Sequence, residues 1–224
     1  ELDEAYQAAI QTLDAGDWET AAELFRDLDG YKDSAVYQED AEFAQELTVS
    51  DIYSEWEGLT DTFIDTCLAS VYSLGEYFYN AIDRTVVISL AQSAEMDAGI
   101  DFDALSPKML AAWTQLIDSY DTVTETSSEK FTDAGYPVSA LLELKNSRGE
   151  LLYSSRDGAS EFSVVDIERA EAVAYETIYA KVTALVGTGQ YQEACDYCEK
   201  NSVNDFYALD YKDLADYYYY AQAM

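Results

Sequence analysis

Two of the three cysteines, Cys195 and Cys198, have the Cys-x-x-Cys spacing of redox and metal-binding proteins. Thioredoxin-like chemistry needs a βαβ setting and a helix N-terminus that lowers the thiol pKa, whereas these cysteines fall inside a predicted helix. A zinc site needs two more ligands, of which Cys67 supplies at most one, and the chain has no His. The pair is therefore predicted to be small apolar packing, with a reversible disulfide as the alternative, and we expect no metal and no cofactor.

Three acidic residues in a short loop, Asp97, Asp101 and Asp103, suggest a calcium site. The EF-hand pattern requires a glycine at position six and a glutamate at position twelve. Counted from Asp101, these positions hold Ser106 and Ala112, so the loop is interpreted as an acidic connection between helices.

The composition also bears on catalysis. Without His, the chain lacks the commonest general base and the usual serine or cysteine triads. Pairs of carboxylates can run a glycosidase mechanism, but with 45 acidic residues no particular pair stands out. We therefore predict that the chain is not an enzyme.

Tyrosines near the C-terminus are the candidate binding residues. Exposed tyrosines stack on sugars or anchor peptides, although packing against another element or a partner chain is an equal alternative. The six candidates are Tyr207, Tyr211, Tyr217, Tyr218, Tyr219 and Tyr220.

The charge of the chain restricts its partners. Twelve Lys and Arg face 45 Asp and Glu, which gives a net charge of −33. Such a field repels nucleic acid and anionic membrane surfaces and favours cationic partners. No apolar run reaches the roughly 18–20 residues that insert into a bilayer, and 20 Tyr, 8 Phe and 3 Trp argue against disorder.

The elements that position these residues are predicted to be mostly helical. Apolar residues in steps of three and four predict long helices over 51–96, 106–133 and 163–186, the second of them capped by Ser106 before Pro107. A short β-hairpin is predicted near 138–154, although a helix over Val138–Lys145 stays open.

Two segments share a sequence pattern. A glycine, an aromatic residue and an alanine recur at identical spacing, and a Tyr-Lys-Asp tripeptide follows downstream before a further helix. The first set is Gly16, Trp18, Ala21 and Tyr31-Lys32-Asp33; the second is Gly189, Tyr191, Ala194 and Tyr211-Lys212-Asp213.

The pattern Gly-x-aromatic-x-x-Ala resembles the tetratricopeptide repeat. The resemblance covers roughly residues 5–46 and 173–223 and implies a helical hairpin in each. In such a hairpin the glycine makes the turn, the ring packs on the first helix and the alanine lets the helices approach. Tyr-Lys-Asp is similar to a variant repeat of extracellular or membrane-attached proteins of Gram-positive bacteria, which implies an extracellular or cell-surface location. Residues 50–172 resemble an uncharacterised module of the same proteins.

The expected fold is mainly α, with a central bundle of long helices and a small β-hairpin, flanked by two tetratricopeptide-like helical hairpins. The expected domains are 1–48, 49–172 and 173–224. The expected function is a non-enzymatic protein- or peptide-interaction module of an exported protein, and the oligomeric state stays open. Because the basic lining of clamps for acidic peptides is missing, the partner is expected to be cationic or apolar. The alternatives are a carbohydrate-binding or carboxylate-dependent glycan-cleaving surface protein, and a structural spacer.

Overall fold

A computed structural model of the chain describes residues 1–68, 72–102, 105–201, 220 and 223. This part of the chain contains eight helices of six or more residues and one five-stranded sheet. Its contacts define two compact units. Unit 1 comprises Glu1–Ala98 with Ser119–Ser163, and unit 2 comprises Gly99–Asp118 with Val164–Met224.

The helices and strands follow one another along the chain in a mixed order. They are α1 Leu2–Asp14, α2 Trp18–Asp27, α3 Ser34–Thr48, α4 Asp51–Leu68, β1 Tyr72–Asn80, β2 Thr85–Gln92, α5 Ala94–Gly99, α6 Pro107–Asp133, β3 Ser139–Lys145, β4 Leu151–Arg156, β5 Ala159–Ser163, α7 Ile167–Gly187 and α8 Tyr191–Lys200.

The prediction of a mainly α fold with a small hairpin is wrong, because the described chain is an α/β protein with a mixed sheet. The helix predicted over 51–96 ends at Leu68, and β1 and β2 occupy most of the remainder. The helix predicted over 106–133 is α6, and Ser106 Oγ accepts the N–H of Met109 at 3.3 Å, as the capping prediction required.

Apolar residues in the misassigned segment have a spacing that fits helix and strand alike. A step of four residues keeps side chains on one face of a helix and, because it is even, on one face of a strand. The residues with this spacing are Leu74, Phe78, Ile82, Val86 and Leu90. In addition, β2 is buried on both faces and lacks the alternation that identifies a half-buried strand.

The sheet belongs to unit 1 and has the order β1-β2-β3-β4-β5. Neighbouring strands are antiparallel except β2 and β3, which are parallel and are joined through α5 and α6. The hairpin predicted near 138–154 corresponds to β3 and β4, two strands of this larger sheet, so the helical alternative for Val138–Lys145 is wrong.

Helices α4 and α6 pack against one face of the sheet. The Trp56 ring of α4 lies 5.3 Å from the Tyr77 ring of β1, and the Tyr120 ring of α6 lies 6.2 Å from that of Tyr153 in β4. The backbone of β1 approaches α4 most closely at Gly75, where an added Cβ would lie 2.5 Å from Cγ2 of Ile64. We call this side of the sheet the helix face.

The N-terminal repeat segment forms a helical hairpin of α1 and α2. Gly16 makes the turn at φ 79°, which favours glycine, and Ala21 is fully buried where the helices meet. The Trp18 ring lies against Tyr79 of β1 at 6.1 Å, in an edge-on contact. The aromatic position of the repeat therefore contacts the sheet.

The first Tyr-Lys-Asp motif folds back onto α1. Lys32 has φ 52°, binds the Asp3 carboxylate and places its Nζ 4.9 Å from the centre of the Tyr6 ring. Tyr31 donates a hydrogen bond to the same carboxylate at 2.8 Å. The hydrogen bonds from Lys32 and Tyr31 lower the pKa of Asp3. The second motif, at 211–213, lies outside the described residues.

The turn between β1 and β2 is attached to α3 by an ion pair. Nε and Nη2 of Arg84 each lie 2.8 Å from Oδ1 of Asp40, whose side chain is 8% exposed. The guanidinium also lies 4.6 Å from the centre of the Phe43 ring. Arg84 has φ 48°, and its carbonyl accepts the N–H of Ser139 at 3.0 Å, so the ion pair, the ring and β3 together fix the end of this turn.

In unit 2, α7 and α8 form the helical hairpin of the C-terminal repeat segment, with Gly189 at φ 75° in the turn. The helix predicted over 163–186 corresponds to α7 but begins four residues later, because Ser163 ends β5. Asp166 caps α7 by accepting the N–H of Arg169 at 3.1 Å. The core of the hairpin consists of Ile178, Val182, Leu185, Ala194, Cys195 and Cys198.

Candidate binding site

The Cys-x-x-Cys pair lies in the apolar core of the α7–α8 hairpin. Cys195 and Cys198 are free thiols, 6% and 1% exposed. Burial raises the pKa of both thiols, that of Cys198 to about 11, and neighbouring acidic residues raise the pKa of Cys195 further. Both cysteines therefore act as small packing residues at neutral pH, as the sequence predicted.

The acidic loop is not assembled around a cation in the part that is described. Asp97 accepts the backbone N–H of Ser147 at 2.7 Å, Asp101 is exposed, and Asp103 lies outside the described residues. Within the described ranges, no group of three or more acidic residues or cysteines is arranged to hold a metal ion.

A buried polar cluster joins α6 to β4. The Asp121 carboxylate accepts hydrogen bonds from Tyr153 at 2.6 Å and from Ser155 at 2.5 Å, and Thr124 lies 2.9 Å from the Ser155 hydroxyl. Burial and the bond to Asp121 raise the pKa of Tyr153. An Asp–Ser pair can activate a nucleophile, but Ser155 and Tyr153 are both fully buried and out of reach of a substrate. The cluster attaches a helix to the sheet.

The tyrosines predicted as binding residues lie largely outside the described residues. This holds for Tyr207, Tyr211, Tyr217, Tyr218 and Tyr219. Tyr220 is described: it is 50% exposed, and its ring lies 6.0 Å from that of Tyr191 in an edge-on contact within unit 2.

Unit 1 has a cavity of about 240 Å³ where the end of α1 meets the β1–β2 turn. We call it the turn pocket. Its walls combine apolar side chains with the carboxylates of two exposed aspartates. The lining residues are Leu13, Asp14, Phe78, Tyr79, Asn80, Ala81, Ile82 and Asp83.

Asn80 shapes the turn side of the pocket. Its Oδ1 accepts the backbone N–H groups of Ile82 at 3.1 Å and of Asp83 at 3.4 Å. Its Nδ2 donates to the Asp83 carboxylate at 3.1 Å, which holds that carboxylate on the turn. With Arg84 bound to Asp40, the turn is held at both ends.

The repeat hairpin supplies the other wall. Leu13 and Asp14 end α1 directly before the turn at Gly16, and Trp18 at the start of α2 lies against Tyr79. The Gly-x-aromatic pattern thus places the end of α1 beside β1, and the pocket forms between them.

An exposed apolar stripe runs from the pocket along β1. Gly75, Tyr77 and Tyr79 point to the helix face, so Leu74 and Phe78 lie on the opposite side of the strand. Leu74 is 54% exposed, Phe78 48% and Ile82, in the turn, 37%. We call these three residues the β1 stripe; Phe78 and Ile82 belong to the pocket as well.

The pocket and the surroundings of the β1 stripe are negatively charged. The residues that line the pocket include Asp14 and Asp83 and no Lys or Arg, and Glu76 lies exposed between Leu74 and Phe78. The nearest arginine in the sequence, Arg84, is engaged with Asp40 and Phe43. An apolar surface with this charge suits a group that is both apolar and cationic.

Unit 2 has a cavity of about 470 Å³ before the start of α7. Its lining is apolar apart from Asp166, which caps α7, and Arg169. This cavity does not share the acidic character of the turn pocket. Its lining residues are Phe102, Leu105, Val164, Val165, Asp166, Arg169, Ala170 and Val173.

The turn pocket could not be predicted from the sequence, because Leu74, Phe78 and Ile82 fall within the helix that is predicted over 51–96. The signal that could have indicated a turn is the Asn80–Arg84 segment, with its Asn and Asp residues between runs rich in aromatic and β-branched residues.

Comparison of the chain with protein-family models, with curated proteins and with solved structures finds no match. Among the described helices, none has both the length and the apolar character of a membrane-spanning segment.

Proposed function

We propose that unit 1 is a non-enzymatic polypeptide-binding module whose partner is a basic segment that also carries apolar side chains. The observation behind the proposal is the turn pocket, in which Asp14 and Asp83 stand beside Phe78 and Ile82. The long apolar stem and terminal charge of Lys or Arg complement this combination.

The size of the pocket supports a side chain as its occupant. At about 240 Å³ it lies below the range of roughly 300–1,000 Å³ that is typical of small-molecule sites. The β1 stripe extends the apolar surface beyond the pocket, so that neighbouring residues of a polypeptide would also find contacts.

The charge of the chain supports the same choice. At a net charge of −33, long-range attraction speeds the encounter with basic segments, and long-range repulsion slows the encounter with acidic ones. The resemblance to tetratricopeptide repeats is consistent with peptide binding, and an extracellular or cell-surface location remains part of the proposal.

The test is the affinity of the chain for a fluorescent peptide of three Val-Ser-Lys-Ser repeats, measured by anisotropy. A peptide with Glu in place of Lys is the control for charge. We expect saturable binding of the Lys peptide and none of the Glu peptide. Weaker binding at high salt would follow from the charges.

Matched variants of the protein locate the site. Asp14→Asn with Asp83→Asn should weaken binding about tenfold, which is about 1.4 kcal/mol. The control, Glu129→Gln with Asp133→Asn, removes the same charge from exposed positions on α6, which packs on the helix face, and should change the affinity by less than about twofold. Equal weakening by both pairs would indicate diffuse attraction and contradict the proposal.

A second pair of variants tests the contribution of apolar contacts to peptide binding. Phe78→Ser should weaken binding about tenfold, because exposed aromatic anchors carry much of the energy of such contacts. Val36→Ser, at a 56% exposed position on α3, is the control.

A glycan array tests the carbohydrate alternative: glycan binding without peptide binding would overturn the proposal.

A further inference from the structure

We infer that the partner segment binds as an added strand along the free edge of β1. The inference rests on the proposed function and specifies its geometry. In this mode the backbone of the partner supplies hydrogen bonds, and alternate side chains supply specificity.

The position of β1 in the sheet provides the edge. β1 is the first strand in the sheet order and pairs with β2. After an irregularity between Tyr72 and Leu74, the pairing continues without interruption to Asn80. Every second residue of this stretch therefore directs its N–H and C=O away from β2.

No described residue outside β2 pairs with these outward backbone groups. In the part of the chain that the structure describes, the backbone of residues 73–79 makes no hydrogen bond to any element besides β2. Natural edge strands are protected by Pro, by Lys or by a covering element. The segment Ser73–Asn80 contains no Pro and no Lys, and Glu76 is its one charged residue.

The side chains of β1 indicate the sequence of the added strand. Leu74, Glu76 and Phe78 alternate along one side of the strand, opposite the helix face. Cross-strand neighbours are stabilised by apolar pairs and by opposite charges. The matching segment therefore has the pattern apolar-x-basic-x-apolar, with Lys or Arg opposite Glu76.

The turn pocket extends this pattern at one end. Phe78 is the last residue of the stripe within the strand and also lines the pocket, so the two sites are continuous. The contact of Trp18 with Tyr79 shows that the α1–α2 turn lies at this end of β1. An added strand would thus run along Ser73–Tyr77 and deliver a further basic side chain to Asp14 and Asp83.

A second copy of the chain is the competing occupant of a free edge. Each copy carries a net charge of −33, and pairing of two β1 edges would bring the Glu76 carboxylates of both copies to one surface. Like charges opposite one another destabilise a strand pair. A basic segment brings the complementary charge, and we therefore assign the edge to it.

Amide hydrogen exchange, measured by NMR on the full chain with and without the Val-Ser-Lys-Ser peptide, tests the geometry. On saturation, alternate amides of Ser73–Tyr79 should exchange at least tenfold more slowly. Protection of these amides in the peptide-free chain, together with a mass that rises with protein concentration, would place a second copy on the edge and overturn the assignment.

Two N-methylated peptides provide an independent readout. One carries methyl groups on the backbone nitrogens of Val and Lys, the other on those of Ser. In an added strand only one set of N–H groups faces β1, so one peptide should lose at least tenfold in affinity and the other less than threefold.

The outcomes separate this inference from the proposed function. Equal affinities of both methylated peptides and unchanged exchange in β1, with binding retained and sensitive to Asp14 and Asp83, would overturn the added strand and leave the binding module standing. Failure of the unmethylated peptide to bind would overturn both.

Discussion

Gly75 is the residue on which the close packing of α4 against β1 depends. Its φ is not positive, so the requirement is for space: an added Cβ would lie 2.5 Å from Cγ2 of Ile64 and 3.3 Å from Cδ2 of Leu90. Leu90 is fully buried and Ile64 is 6% exposed, so neither side chain has room to move aside.

Gly75→Ala is therefore expected to lower the free energy of unfolding by about 1–3 kcal/mol, the usual range for overpacking. The control is Gly58→Ala in α4, where the added Cβ meets nothing within 4 Å and a helix favours Ala by up to about 1 kcal/mol. Urea unfolding measures both variants. Equal effects of the same sign would contradict the packing described for β1.

Cys195 and Cys198 illustrate how burial decides the chemistry of a residue. A thiol reacts as thiolate, and burial raises the pKa of Cys198 to about 11 and also raises that of Cys195. At neutral pH the protonated form of both thiols therefore dominates, and the reactive thiolate fraction increases only as the pH rises.

At pH 8 both thiols should therefore react with Ellman's reagent at least tenfold more slowly in the native protein than in urea. The measurement is the rate of thiol release, with Cys195→Ala/Cys198→Ala identifying the contribution of Cys67. Rapid native reaction of the pair, or a disulfide between them after purification in air, would contradict their packing role.

At the scale of elements, the ion pair between Arg84 and Asp40 connects α3 to the turn that forms the candidate site. The Asp40 side chain is 8% exposed and that of Arg84 36%, whereas the pair of Arg26 and Glu42 between α2 and α3 is about half exposed on both sides. Loss of one partner from a buried pair leaves a buried charge without a counter-charge. In an exposed pair, water solvates the charge that remains, so the loss costs less.

Arg84→Met is accordingly expected to destabilise unit 1 by about 2 kcal/mol, less than a fully buried pair because the guanidinium is partly solvated. Arg26→Met should cost less than about 1 kcal/mol. Both Arg and Met are non-glycine residues at the same positive φ, so backbone strain at position 84 cancels when the variant is compared with the wild-type protein. Thermal unfolding gives the ranking, and a larger loss at position 26 would refute it.

Helices with clear ends could be predicted from the sequence, and the strands before the hairpin could not. α6 begins where Ser106 and Pro107 predicted, and both glycine turns of the repeats join helices. In contrast, the even spacing of Leu74 and Phe78 fits helix and strand alike. Such ambiguity is resolved by tertiary packing, here of α4 on Gly75, which a single sequence does not contain.

The candidate site was missed for the same reason. Leu74 and Phe78 fall within the helix predicted over 51–96, whereas in the structure they lie exposed on a strand. The expectation of a cationic or apolar partner follows from the acidic charge and from the missing basic lining, and it remains a prediction. Asp14 and Asp83, which line the turn pocket, are the residues that we propose bind the cationic partner.

At the scale of the whole molecule, the net charge of −33 acts on stability and on binding in opposite directions. Repulsion among the acidic residues destabilises the compact state, and salt screens it. Attraction of a basic partner is screened by the same salt. The two effects share one physical origin.

Raising NaCl from about 0.01 to 0.15 M shortens the Debye length from about 30 to 8 Å. We expect the urea midpoint to rise over this range while the affinity for the Val-Ser-Lys-Ser peptide falls. Both are measured on the same protein sample. A midpoint that falls with salt would contradict the dominance of self-repulsion.

The most direct test of the central claim is an NMR map of amide shift changes as the Val-Ser-Lys-Ser peptide is titrated into labelled protein. The proposed site predicts the largest changes at Leu13–Asp14 and Phe78–Asp83, with smaller ones along the rest of β1. Changes spread evenly over the acidic surface, or centred on α7 and α8, would contradict it.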